Sequence, residues 1–144
     1  MRFRVTSITD EGVGSKLTPA LVTLEDWLNA SLDDGTFGGR LSTLMIVVFS
    51  TEFPLPNGRS VPITRLASSR DPMTGEVHQT LAIHVLIEPG ALLALRAKEV
   101  LPYVAKCITR QLPAKPLRSP AGLDFTRLCQ ALAASLSAYV YSEA

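Results

Sequence analysis

An α+β fold is predicted, with a four-stranded antiparallel sheet and about three helices in the order β-α-β-β-β-α-α. Three features of the 144-residue sequence predict it. Residues 77–87 place Val77, Leu81, Ile83, Val85 and Ile87 at odd positions, the period of a strand with one buried face. Residues 42–50 form a short continuous apolar run through Met45, Ile46, Val47, Val48 and Phe49, which reads as a central strand. At Glu88-Pro89-Gly90 the apolar period changes from 2 to 3.6, with Pro89 placed for a first helical turn.

The remaining elements follow in chain order. Residues 2–9 alternate weakly and read as a first strand. Residues 10–16, with Gly12 and Gly14, read as a turn-rich connection. A first helix is expected to start at Thr23, where Thr23-Leu24-Glu25-Asp26 has the form of a capping box. Leu24, Trp27, Leu28 and Leu32 form its apolar stripe, and Asp33-Asp34-Gly35 ends it. Those two acids oppose the helix dipole, which marks the corner as a contact site. Residues 51–59 hold Pro54, Pro56 and Asn57-Gly58, a rigid exposed loop. Residues 60–66 form a third strand whose Pro62 favours a sheet edge, and residues 68–76 turn into the 77–87 strand. The three strands read as an antiparallel meander. Beyond Gly90, Leu92, Leu93, Leu95, Val100, Leu101, Val104 and Ile108 mark a helical core face, with a kink or two abutting helices expected at Pro102. Residues 112–120 form a proline-rich basic connector. Phe125, Leu128, Cys129, Leu132, Leu136 and Val140 mark a last helix.

The length suits a single domain over residues 1–144, large enough to bury about 68–70% of its unfolded surface. Apolar residues make up 47% and charged residues 19%, which argues against disorder and leaves room for a partner-covered patch. The net charge of +1 lacks the basic excess of a typical nucleic-acid binder. Acids gather in residues 1–40 and bases in residues 96–127, so the two halves are expected to complement each other. Cys107 and Cys129 lack CxxC spacing, which suits a reduced compartment, and a disulfide between them stays open. With no signal peptide and no spanning segment read in the chain, a cytoplasmic location and no membrane partner are expected.

No P-loop, GxGxxG, HExxH, GxSxG or paired-cysteine zinc pattern occurs, so no catalytic residue, metal or cofactor is assigned. Residues 35–39 are glycine-rich but follow a helix, the wrong context for a phosphate loop. Asp26 and Asp33 fall about 10 Å apart along a helix, too few ligands for a hard cation. The two histidines, His78 and His84, lie roughly 20 Å apart on one strand face, too far to grip one atom. His84 is expected to pair with Thr80 or Thr64, and Glu76 with Arg70.

Leu24-Glu25-Asp26-Trp27-Leu28, the following Asp33-Asp34-Gly35 and the compact β-rich middle ending in two helices carry a resemblance. In this organisation the chain resembles the small bacterial immunity proteins encoded beside polymorphic or contact-dependent toxins. The resemblance implies a non-enzymatic protein that binds one cognate toxin and blocks its active site or assembly. The near-neutral charge departs from the acidic character of many nuclease inhibitors and points away from a nuclease target. Contact residues are expected at Asp33, Asp34 and Phe37 after the first helix, and at Glu52, Phe53 and Arg59 in the proline-bounded loop. Arg65, Arg70 and His84 are second choices. Phe37 and Phe53 serve equally well as core plugs. A homodimer is compatible with this reading. Two other readings stand beside it: a structural subunit of a virion or secretion apparatus that forms a homo-oligomer, and a small-ligand binder or enzyme using the His78/His84 face.

Overall fold

The structure, a computed structural model, describes residues 2–32, 41–50, 64–112 and 124–142, the side chains of 64–66 excepted. Its elements are β1 (Arg2–Ile8), α1 (Glu11–Ser31), β2 (Leu41–Ser50), β3 (Thr64–Arg70), β4 (Val77–Ile87), α2 (Pro89–Ala94), α3 (Ala97–Gln111) and α4 (Phe125–Ser142). The α+β class and the four-stranded sheet agree with expectation. The antiparallel meander does not. The strand order is β1-β2-β4-β3, with β1, β2 and β4 parallel and only β3 antiparallel, to β4. A meander needs β2 beside β3. Here β4 inserts between them, and the tight turn at residues 71–76 makes β3–β4 the hairpin.

β2 is central, and its composition explains why. Leu44, Ile46 and Val48 are buried on the helix side, while Val47 and Phe49 are buried on the other. A strand covered on both faces reads as a continuous apolar run, the habit of parallel sheets. In β4 Leu81, Ile83, Val85 and Ile87 are buried as expected and align with Leu44, Ile46, Val48 and Ser50, whereas Val77, at the strand's start, is 48% exposed. β3 runs later than expected, taking in Ala67–Arg70 rather than ending at 66. The turn beyond it is held by Asp71, whose carboxylate accepts from Met73 N at 2.9 Å, and by Gly75 at φ 74°. That hydrogen bond holds the Asp71 carboxyl below its ordinary range.

α1 begins at Glu11, twelve residues before the expected Thr23. Asp10 caps it by accepting from Val13 N at 2.9 Å. Val13, Leu17, Ala20, Leu21, Leu24 and Leu28 form one buried stripe through both glycines and Pro19. It ends at Leu32, whose N–H donates to Leu28 O, so Asp33, Asp34 and Gly35 lie outside the described residues.

Among the described residues four helices form, not about three. The break expected at Pro102 falls instead at Leu95–Arg96. Lys16 Nζ donates to Leu93 O at 2.8 Å and to Leu95 O, capping the end of α2. Glu99 then accepts from Arg96 N at 3.0 Å and starts α3. Pro102 stays inside α3 on its exposed side, where its missing N–H frees a carbonyl that water can satisfy. α4 buries Phe125, Leu128, Leu132 and Leu136, as its spacing predicts. Trp27 ties it to α1 by donating to Ser135 O at 2.9 Å and by a tilted ring contact with Tyr139, centroids 4.9 Å apart. Every helix contributes to one core on one face of the sheet. Among the described residues, no helix is long and apolar enough to cross a membrane.

Candidate interaction surfaces

Because the helices take one face, the even positions of β4 and their neighbours form the other. Across the sheet the register aligns Arg4, Met45, Ala82 and Arg65 in one row, and Thr6, Val47 and His84 in the next. Thr43, Met45, Thr80, Ala82, His84 and Leu86 are partly exposed there, while Arg2 and Arg4 are exposed on β1. The face therefore carries positive charge at the β1 side and a mixed apolar–polar centre.

His84 meets Phe49 edge-on, with ring centroids 6.3 Å apart. His78 is engaged near one end of β4: Ser42 Oγ lies 3.3 Å from its Nδ1, and Glu76 lies 3.8 Å from its Nε2. Glu76 thus faces His78 rather than the expected Arg70. It is the one contact of a basic with an acidic side chain within salt-bridge distance among the described residues, so the acidic and basic halves of the chain do not pair through salt bridges there. No group of three potential metal ligands forms among the described residues either.

Of the nine expected contact residues, Asp33, Asp34, Phe37, Glu52, Phe53 and Arg59 lie outside the described residues, as does Pro62. Arg65 is placed only by its register opposite Ala82. Arg70 is exposed at the far end of β3, opposite Val77, seven residues of β4 from His84 or roughly 23 Å. These two expected contacts do not converge. The segment that carried the family resemblance is largely internal. Leu24 and Leu28 are fully buried, Trp27 holds α4, and Glu25 accepts from Val5 N at 2.9 Å.

Sequence reasoning missed a second surface on the helical layer. Two adjoining depressions of about 600 and 900 Å³ share Leu95, Lys98, Pro102 and Val140. The smaller runs between α3 and α4, with Ala105, Lys106, Leu136 and Tyr141 on its walls. The larger continues to Lys16, Pro19 and Ala20 of α1. Tyr141 stands 82% exposed beside the smaller one. The signal available in the sequence was the spacing of Lys98, Pro102, Lys106 and Thr109, one helical stripe bearing two lysines.

Cys107 and Cys129 are free thiols, so the open disulfide is not formed. Burial pushes Cys129 up to about 11, and burial likewise raises Cys107, offset by its contact with Tyr103. Neither has the low-pKa setting of a nucleophile. Comparison with family models, with curated proteins and with solved structures gives no match, so the functional reading stands on geometry and chemistry alone.

Proposed function

We propose that the chain is a non-enzymatic protein-binding module of the immunity type, which neutralises a cognate bacterial toxin by direct binding. The supporting observation is the one-sided arrangement of the described helices: all four pack on one sheet face, while the opposite face is partly exposed at Met45, Ala82 and Leu86, closed at Val47 and Phe49, and bordered by exposed Arg2 and Arg4. Such a surface offers charged and apolar anchors on rigid strands, the setting in which a few residues carry most of the binding energy. Asp33, Asp34, Phe37, Glu52, Phe53 and Arg59 remain candidate contacts on sequence grounds, joined by Arg65, Arg70 and His84. Affinity capture with the tagged full chain from its native cells, followed by native mass measurement, tests the reading. One stoichiometric protein partner, held at roughly nanomolar strength or about −12 kcal/mol, is the expected result. Arg4→Glu and Asp34→Lys should each weaken that complex.

A second reading, a homo-oligomeric structural subunit, is favoured by the outer edge of β3, where Ala67, Ser68, Ser69 and Arg70 are all exposed. Recovery of the chain only with itself, as a large assembly, would replace the inhibitor reading with this one.

A further inference from the structure

We propose that the depressions between α1, α3 and α4 form one docking trough for an acidic amphipathic helix of a partner protein. The trough lies on the helical layer, opposite the sheet face discussed above. The inference therefore stands whether or not the partner is a toxin.

The polar inventory of the lining decides the charge of the occupant. In the smaller depression, Glu99 is committed to Arg96 N. Tyr103 accepts from Glu88 N at 3.2 Å, and Thr109 donates to Ala105 O at 2.9 Å. In the larger one, Lys16 is spent on the carbonyls of Leu93 and Leu95, and Thr23 donates to Pro19 O at 2.9 Å. Of the charged side chains in the lining, Lys98 and Lys106 are left, beside the neutral hydroxyls of Ser15, Ser137, Tyr139 and Tyr141. Both lysines line the trough, and neither meets a carboxylate among the described residues. Two uncommitted ammonium groups above an apolar floor of Leu95, Pro102, Leu136 and Val140 call for carboxylates flanking apolar side chains.

Dimensions decide its shape. Lys98 and Lys106 are eight residues apart on α3, about 12 Å along the axis. A docked helix lying along α3 meets both lysines with carboxylates seven or eight residues apart, a spacing of roughly 10–12 Å, and its apolar residues at i, i+3, i+4 and i+7 face the floor. The stripe from Lys98 to Thr109 is about three helical turns long, the usual reach of helix-in-groove recognition. A membrane surface is disfavoured, because polybasic lipid-binding segments cluster some 4–8 basic residues, and the trough offers two free ones.

The test uses fluorescence anisotropy with the full chain and a labelled synthetic helix of about 16 residues, roughly 24 Å long. The peptide carries leucines at i, i+3, i+4 and i+7 and two glutamates seven residues apart. Its control replaces both glutamates with lysine. Saturable binding of the acidic peptide is expected, at least about tenfold weaker for the control and for the Lys98→Glu/Lys106→Glu variant, a change of about 1.4 kcal/mol. That variant should in turn prefer the lysine peptide. Lys106→Glu alone should show an intermediate loss if the double variant does not fold. Equal affinity for both peptides, or no saturable binding, would overturn the proposal. So would lysine-dependent binding to phosphatidylglycerol vesicles without peptide binding.

Discussion

The two outer edges of the sheet are treated in opposite ways. Along β1, α1 supplies side chains to the strand's outward backbone: Asn29 accepts from Phe3 N and donates to Phe3 O, both at 2.9 Å, and Glu25 accepts from Val5 N. The carboxamide of Asn29 thus stands where a further strand would bond. Gln111 repeats the device on β4, accepting from Leu86 N at 2.8 Å and donating to Leu86 O at 2.7 Å. Leu86 lies three residues beyond Ile83, where the described β3–β4 pairing ends, and Gln111 takes up its backbone groups. On the outer side of β3 no side chain among the described residues plays this part. Open edges invite strand addition and are commonly blocked for that reason. Among the described residues, the contrast leaves β3 as the edge without such a block.

Removing the plugs is expected to give the largest effects. Gln111→Ala strips both bonds from a partly buried stretch of β4 and should cost about 2–3 kcal/mol, given 0.5–1.5 per bond plus the orphaned groups. Asn29→Ala removes the same pair from β1, but Asn29 is exposed, so water can replace part of the loss and about 1–2 kcal/mol is expected. Urea unfolding measures both. Asn29→Ala should also raise the tendency to aggregate, because it opens the β1 edge. Equal and negligible losses in both variants would mean that the amides are incidental to edge protection.

A middle-sized effect is expected at the turn that sets β3 against β4. Gly75 has φ 74° with open space around a would-be Cβ, so an alanine there meets no clash and only the backbone conformation opposes it. Gly75→Ala should cost about 1 kcal/mol, and Gly75→Asn less, since asparagine tolerates that region. The turn also has a pH signature. The Asp71 carboxyl is depressed by its bond from Met73 N. Its contribution is therefore present above the ordinary value of 3.8 and is lost as the pH falls through the lower folded value. Amide protection factors of Ala67–Arg70, taken against the intrinsic exchange rate at each pH, should fall over that range.

How much of this was legible in the sequence depends on whether the signal was local. The bounds of β4 and the leucine stripe of α4 were readable because period and burial coincide in them. The first half of α1 was not read. Gly12, Gly14 and Pro19 are breakers by propensity, yet Val13, Leu17 and Leu21 continue the same stripe, and burial outweighs propensity. Strand direction was not legible either, since parallel pairing of β2 with β4 depends on where β3 goes, and no residue encodes that. The apolar run of β2 was the one hint of a parallel arrangement. Within the segment that carried the resemblance, Glu25 shows the difficulty most clearly. It stood there as part of a capping box, but its carboxylate accepts from Val5 N of β1, and only the fold reveals that neighbour. Lys98 and Lys106 line a depression only because α4, distant in sequence, packs beside α3.

The smallest change in stability with the sharpest bearing on the two edges is expected from Ala67→Lys. Ala67 is exposed at the middle of β3 and pairs with Thr80. A lysine there should alter folding stability by no more than about 0.5 kcal/mol, the usual range for an exposed site. If β3 pairs with its own copy in antiparallel fashion about Ala67, the substitution sets two ammonium groups directly opposite each other, which disfavours the pair. Sedimentation over a wide concentration range separates the cases. Concentration-dependent association in the natural chain that vanishes in Ala67→Lys identifies the β3 edge as the self-association surface and favours the structural-subunit reading. A natural chain that stays monomeric throughout argues against self-pairing there. If the edge instead serves the partner of the proposed function, Ala67→Lys should weaken capture of that partner without changing the thermal midpoint.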